Sequence, residues 1–254
     1  MQRVLVSFLV TALATINACK GVPAASPPPT QPKGATPEAV KQSPQELPEF
    51  ITRGFTVIEE GDQETFGCVG KILQQDGEMI GSCVLVAPNA ALTAAHCIKD
   101  HAPYWFQTNN CELIRIKAGI AHPNYVNDVN DIGVLILEHD SIEKPATMRR
   151  SVGDLTRLEE LTVVGYSFEK KKISKQHTFF YYGTVIEDPS RIKFLPLEST
   201  VWFGDSGGGV FEDGGKLAGI ISSFAIFNGH LLEDSATHVF LYVDWIDTTI
   251  RGNK

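Results

Sequence analysis

Apolar positions along most of this chain fall into short runs closed by glycine, proline, asparagine or aspartate. From about Phe55 onward the runs include GCVGKIL (Gly67–Leu73), SCVLVAP (Ser82–Pro88), ELIRIKAGI (Glu112–Ile120) and DIGVLIL (Asp131–Leu137). LTVVGYSF (Leu161–Phe168), KLAGIISSF (Lys216–Phe224) and THVFLYV (Thr237–Val243) continue the series. Each run has strand length, and no helix-length amphipathic pattern separates them. Many short strands with regular turn signals predict an all-β sandwich or barrel. Only YVDWIDTTIRG, near the C-terminus, has helical spacing, with Val243, Ile246 and Ile250 on one side. A change of texture at EKPATMRRSVGDLTRLEE marks a connection between two β units.

The first fifty residues have a different pattern. Residues 1–18 place a basic Arg3 before an apolar run, Val4 to Ile16, as a secretory signal does; the run is short for a membrane span. The run ends in INAC, which resembles the lipobox of bacterial lipoproteins and predicts a lipidated Cys19 as the first mature residue, with plain cleavage near Val22–Ala24 as the alternative. Residues 19–52 are then a linker rich in proline, alanine, serine and threonine. With so little apolar surface to bury they are expected to stay extended, at about 3 Å per residue. Residues 53–254 form the folded domain.

Composition narrows the function. A formal charge of −8 over 254 residues, with no basic stripe, excludes a nucleic-acid binder. The basic run EKKKISK (Glu169–Lys175) is read as a solvated loop. Five cysteines are present; assigning Cys19 to lipid leaves four, Cys68, Cys83, Cys97 and Cys111, enough for two disulfides in an oxidising compartment.

The chemistry-bearing stretches are LTAAHC, with His96; NDIGVLIL, with Asp131; and GDSGG, with Ser206. A serine hydroxyl attacks a carbonyl only when a base takes its proton. A neutral imidazole can accept that proton and return it to the leaving group. A buried carboxylate fixes the imidazole tautomer, and glycines around the serine open backbone N–H groups to a developing oxyanion. An α/β-hydrolase also uses Gly-x-Ser-x-Gly, followed by acid and histidine, here Asp234 and His238. That reading fails: fewer than fifty residues follow Ser206, no strand–helix alternation precedes it, and Gly207–Gly209 would open a helix poorly.

The three stretches, in this order, resemble the chymotrypsin/trypsin family of serine proteases, and the resemblance extends from about Val57 to the C-terminus. HPNY (His122–Tyr125) and VDWI (Val243–Ile246) add to it. The resemblance implies two antiparallel β-barrels, about 57–150 and 151–241, then a helix at 242–251, with the site in the cleft between barrels. It implies His96 as general base and acid, Asp131 as its orienting partner and Ser206 as nucleophile. The N–H groups of Gly204 and Ser206 would form the oxyanion hole. Ser222 and Phe224 would bind substrate backbone by strand addition, with Thr200 at the base of the primary pocket. Cys83 and Cys97 would form the family's disulfide beside the histidine, and Cys68 and Cys111 a second one, since no CxxC or HExxH spacing suggests a metal. No metal or cofactor is expected. The partners expected are a protein or peptide substrate and, through Cys19, a membrane; the chain is expected to be a monomer, exported to a bacterial periplasm or cell surface. A catalytically weak binding or scaffold protein on the same fold is the alternative.

Several positions depart from the family pattern. Gly209 stands where proline is usual, and Trp202 lies near the place of a missing pocket cysteine. Thr200 lacks the carboxylate that selects basic residues, and Phe224 and His238 fall where small glycines line the pocket. A shallow pocket for small or medium apolar residues is expected. The family's IVGG activation sequence is absent; Val57–Ile58 lies at about its distance, so either a cut between Thr56 and Val57 supplies an amino group for Asp205, or Asp205 is satisfied without one. His101, His122, His139, His177 and His230 are expected to be structural.

Overall fold

The computed structural model describes residues 56–57, 66–151, 160–166, 175–181, 190–196, 201, 203–212, 214–227 and 230–253. The expectations for residues 1–18, Cys19, the linker, Thr200, Trp202 and most of the basic run lie outside these residues.

Six strands close into a first barrel in the order β2-β3-β4-β7-β6-β5. They are β2 (Val69–Leu73), β3 (Met79–Ala87), β4 (Ala90–Thr93), β5 (Trp105–Gln107), β6 (Leu113–Ala121) and β7 (Gly133–Leu137). β4 and β7 are buried along their whole length. This is why their sequences are continuous apolar runs rather than alternations.

The second sheet holds β1 (Thr56–Val57), β8 (Glu160–Val164), β9 (Lys175–Tyr181), β10 (Arg191–Pro196), β11 (Gly209–Glu212), β12 (Leu217–Phe227) and β13 (His230–His238). Its order is β1-β9-β10-β13-β12-β11-β8, and β8 also pairs with β9, so the strands from β9 to β8 form a ring with β1 paired to β9 outside it. Val57, expected to open the first barrel, is instead in β1, where it pairs with Lys175 of β9.

Alternation along the second sheet sends side chains to two cores. Leu161, Val163, Ala218 and Ile221 pack together inside it. Their neighbours Val164, Leu217 and Ile220 join the large core of the first barrel. That shared core packs the two units against each other. A short helix, α1 (Ala95–Lys99), follows β4. A 3-10 turn, Phe240–Tyr242, leads into the C-terminal helix, α2 (Val243–Gly252). Only the first two residues of THVFLYV are therefore strand. In α2, Val243, Ile246 and Ile250 form the buried face, as their spacing predicts. Full burial of a side chain such as Ile246 is worth about 1.5–3 kcal/mol.

Candidate active site

Strand pairing brings the expected histidine and aspartate together. Thr93, at the end of β4, pairs with Gly133, at the start of β7. His96 lies three residues beyond the first and Asp131 two before the second. Gly133 permits the approach: a Cβ there would meet Ile98 of α1 at 2.4 Å. The loop before Asp131 turns tightly, with Val126 and Val129 exchanging backbone hydrogen bonds across Asn127 and Asp128, both at positive φ. Asparagine and aspartate tolerate this left-handed turn best after glycine. Asn130, also at positive φ, accepts a hydrogen bond from the Tyr242 hydroxyl at 2.8 Å. Thr237 Oγ1 donates to the Asp131 carbonyl at 3.0 Å. Both the C-terminal segment and the second sheet thus fix the aspartate's backbone.

The Asp131 carboxylate is fully buried and receives three hydrogen bonds. His96 Nδ1–H donates to Oδ2 at 2.8 Å and the His96 backbone N–H to Oδ1 at 3.0 Å. The Ser222 hydroxyl donates to Oδ2 at 2.7 Å. Burial works to raise the Asp131 pKa, but the His96 and Ser222 bonds outweigh it and hold the carboxyl below its ordinary value. Burial likewise works to lower the His96 pKa. The Cys97 sulfur beside it and the Asp131 carboxylate together reverse that and hold it well above the ordinary value. The imidazole keeps 23 % of its side-chain surface exposed. With Nδ1–H committed to Asp131, Nε2 is the nitrogen left to act as a base.

Ser206 sits in a turn built by glycines at positive φ, Gly204 at 94° and Gly207 at 86°. The turn is docked on the first barrel: Ser82 N–H donates to the Ser206 carbonyl at 2.8 Å. The Ser82 hydroxyl donates to the Gly204 carbonyl at 2.7 Å. Among the described residues, no acceptor is bonded to the N–H of Gly204 or Ser206, and no hydrogen bond joins Ser206 Oγ to His96. Such catalytic bonds are commonly long until substrate closes the site. Gly209 has a packing reason, since a Cβ there would meet the Phe211 ring at 2.4 Å. Asp205 is buried against Gly165.

The expected disulfides are not formed. Cys68, Cys83 and Cys97 are all buried free thiols. Cys97 Sγ faces Gly81, where a Cβ would stand 2.9 Å away, and lies 3.9 Å from the Ser206 carbonyl oxygen. Gly81, two residues before Cys83, therefore occupies the place a bridging cysteine would need. Cys83 instead pairs across β3 and β2 with Gly70. Cys68 points into the barrel core, whereas Cys111 sits on the exposed turn between β5 and β6 at φ 64°.

The substrate-facing expectations divide. Ser222 lies beside the His96–Asp131 pair. β11 pairs with β12 only as far as Ile220. Among the described residues, β12 from Ser222 to Phe224 thus has only β13 beside it, an open edge that an extended peptide could join. The side chain of Phe224 lies outside the described residues. His238 is not its neighbour: Phe224 pairs with Asp234, and His238 pairs with Gly219. Asp234, named above only as the acid of the rejected α/β-hydrolase reading, is fully buried and accepts the Val201 N–H at 3.1 Å. Its place in this sheet was missed, since an acidic residue inside a strand carries no motif of its own. Ser82 was missed too, since a lone serine in an apolar run carries no motif. His122 packs against Tyr242 and Trp245, a structural role as expected.

The trypsin-like peptidase domain family matches residues 81–220. Among solved structures, kallikrein-related peptidase 10 superposes with a TM-score of 0.62 at 19% identity, covering 75% of this chain and 98% of its own. The same peptidase in complex with Zn2+ gives the same values. Neuropsin, a serine protease expressed in the limbic system of mouse brain, gives 0.61 at 20% identity, covering 74% and 96%. At this identity the likeness is one of fold. No curated protein matches the chain by sequence.

Proposed function

The chain belongs to the family of trypsin-like peptidase domains, and from that premise we propose that it is a serine endopeptidase in which His96, Asp131 and Ser206 are the catalytic residues. The observation that carries this reading is the hydrogen bond from His96 Nδ1 to the fully buried Asp131 carboxylate, at 2.8 Å, with the Ser206 turn docked on the same barrel.

The chemistry follows from that arrangement. Asp131 holds the imidazole with its proton on Nδ1, so Nε2 takes the Ser206 hydroxyl proton as Oγ attacks the scissile carbonyl. The carbonyl oxygen becomes an anion, accepted by the Gly204 and Ser206 N–H groups. His96, now an imidazolium beside a carboxylate, gives its proton to the departing amine. Water then repeats the sequence on the acyl-enzyme and releases Ser206. Substrate backbone would lie along the open edge of β12 at Ser222–Phe224.

Export and tethering through a lipidated Cys19 are part of the proposal. Arg3, the apolar run from Val4 to Ile16 and the INAC ending support them. A linker of the composition of residues 19–52 would let the domain reach substrates well away from a membrane.

The test is hydrolysis of an unfolded protein such as casein, with a pre-steady-state burst of the first product. Activity lost in Ser206→Ala and in His96→Ala supports the reading. Equal hydrolysis by wild type and Ser206→Ala would assign the activity to a contaminant.

A further inference from the structure

The mechanism above gives no role to Ser82, a fully buried serine of β3, yet every polar atom of this residue is engaged around the nucleophile turn. Its N–H donates to the Ser206 carbonyl at 2.8 Å, and its hydroxyl donates to the Gly204 carbonyl at 2.7 Å. The same hydroxyl accepts the Tyr166 N–H at 2.8 Å. Its carbonyl accepts the Thr93 hydroxyl at 2.9 Å. Thr93 stands three residues before His96, and Tyr166 follows β8 of the second sheet. One residue therefore ties the histidine's strand, the second sheet and both ends of the Gly204–Ser206 turn.

We propose that Ser82 is a positioning residue that holds the Gly204–Ser206 turn in its anion-accepting form. The proposal rests on the serine peptidase reading for its catalytic consequence, though not for the clamp itself. A peptide plane is rigid, so fixing a carbonyl fixes the orientation of the amide it belongs to. Ser82 fixes the 204–205 and 206–207 planes, and the plane between them carries the Ser206 N–H. With both flanking carbonyls drawn toward the first barrel, the turn cannot rotate that N–H away without breaking a buried hydrogen bond. A buried donor left unpaired is costly, so the turn has one preferred state before any substrate arrives. Preorganisation of this kind is where an oxyanion site gains its advantage over water.

Two neighbours are shaped to the clamp. Gly207, at φ 86°, could carry no side chain: a Cβ would stand 2.1 Å from the Ser82 carbonyl oxygen and 2.2 Å from Thr93 Oγ1. Gly81, beside Ser82, keeps the Ser206 carbonyl within reach, since a Cβ there would lie 2.9 Å from that oxygen. The turn and the strand are thus in contact through backbone, and among the described residues the hydroxyl is the only side-chain group that bridges them to Gly204.

The experiment compares wild type with Ser82→Ala, which removes only the hydroxyl and keeps the N–H bond to Ser206. On a fluorogenic peptide, kcat is expected to fall about 10–100-fold with KM changed less than about twofold, because the loss is confined to the transition state. A peptidyl boronic acid, which becomes tetrahedral on the serine, should bind more weakly by a similar factor, while the product peptide binds as before. Amide hydrogen exchange in the 203–208 segment should speed up in the variant. Unchanged kcat, or equal weakening of boronate and product, overturns the catalytic role of the clamp. Unchanged exchange overturns the clamp itself, whatever the activity. Faster exchange in a protein that hydrolyses nothing would instead sink the peptidase reading and leave the clamp standing.

Discussion

Gly81 of β3 faces Cys97 of α1, and a Cβ on the glycine would lie 2.9 Å from the cysteine's sulfur. The thiol next to His96 in the chain therefore has a glycine, not a cysteine, facing it. Digestion of the denatured protein without reductant is expected to yield no Cys83–Cys97 cross-linked peptide. In the native state Cys68, Cys83 and Cys97 should resist iodoacetamide at pH 8, because all three are buried and burial pushes the Cys68 thiol up to about 12. Gly81→Cys should bridge to Cys97 on oxidation and add about 3 kcal/mol of stability if the Ser206 carbonyl can shift slightly. A native Cys83–Cys97 cross-link would contradict this geometry.

Ser222 supplies one of the three hydrogen bonds that keep the buried Asp131 ionised. Ser222→Ala is expected to cost about 1.5–3 kcal/mol near neutral pH, the range for a hydrogen bond to a charged group. The folded-state pKa of Asp131 is lowered, so this stabilisation is present above the unfolded carboxyl value and lost as pH falls through the folded one. Urea midpoints of the two proteins should therefore differ at pH 7 and converge in acid, below about pH 4. A gap that stays constant down to low pH would mean the hydroxyl acts only through packing.

In the proposed mechanism the base is neutral His96, and its pKa is raised above the ordinary 6.5. Protonation therefore switches the base off at a higher pH than for a free imidazole. The acidic limb of kcat/KM is expected to have its midpoint above 6.5, and Asp131→Asn should move that limb downward while lowering kcat about 10⁴-fold. A limb unmoved by Asp131→Asn would detach the carboxylate from the titrating group.

Gly207→Ala puts a methyl group into backbone and a threonine hydroxyl at a φ that disfavours any side chain. The loss of stability should exceed about 3 kcal/mol, by strain and overpacking together. Thermal unfolding reads it directly. Wild-type stability in this variant would mean the turn docks elsewhere.

The three residues proposed as catalytic were readable as candidates because each sits in a local motif: LTAAHC, NDIGVLIL and GDSGG stand out without tertiary information. The first barrel was legible where strands are continuous apolar runs, as in β3 and β7. Strand β13 was not, since HLLEDSATH carries buried polar residues whose partners lie far off in the sequence: Ser235 bonds to Ser223, Asp234 to Val201 and Thr237 to Asp131. The disulfide was misread for a related reason. Spacing along the chain reached Cys83, while pairing in the barrel turns Gly81 toward Cys97. Ser82 and Gly209 gain meaning only from what they touch, one from the nucleophile turn and the other from the Phe211 ring.

The most direct test of the account is to react the purified, uncut protein with a fluorophosphonate and locate the adduct by peptide mass spectrometry. The Thr56–Val57 bond lies within β1, paired to β9, and the Gly204–Ser206 turn is already held by Ser82 in the intact chain. Stoichiometric labelling of Ser206 without any cut is therefore expected, with none in Ser206→Ala and little in His96→Ala. A folded protein that takes up no label, intact or cut before Val57, would contradict the assignment of Ser206 as the nucleophile.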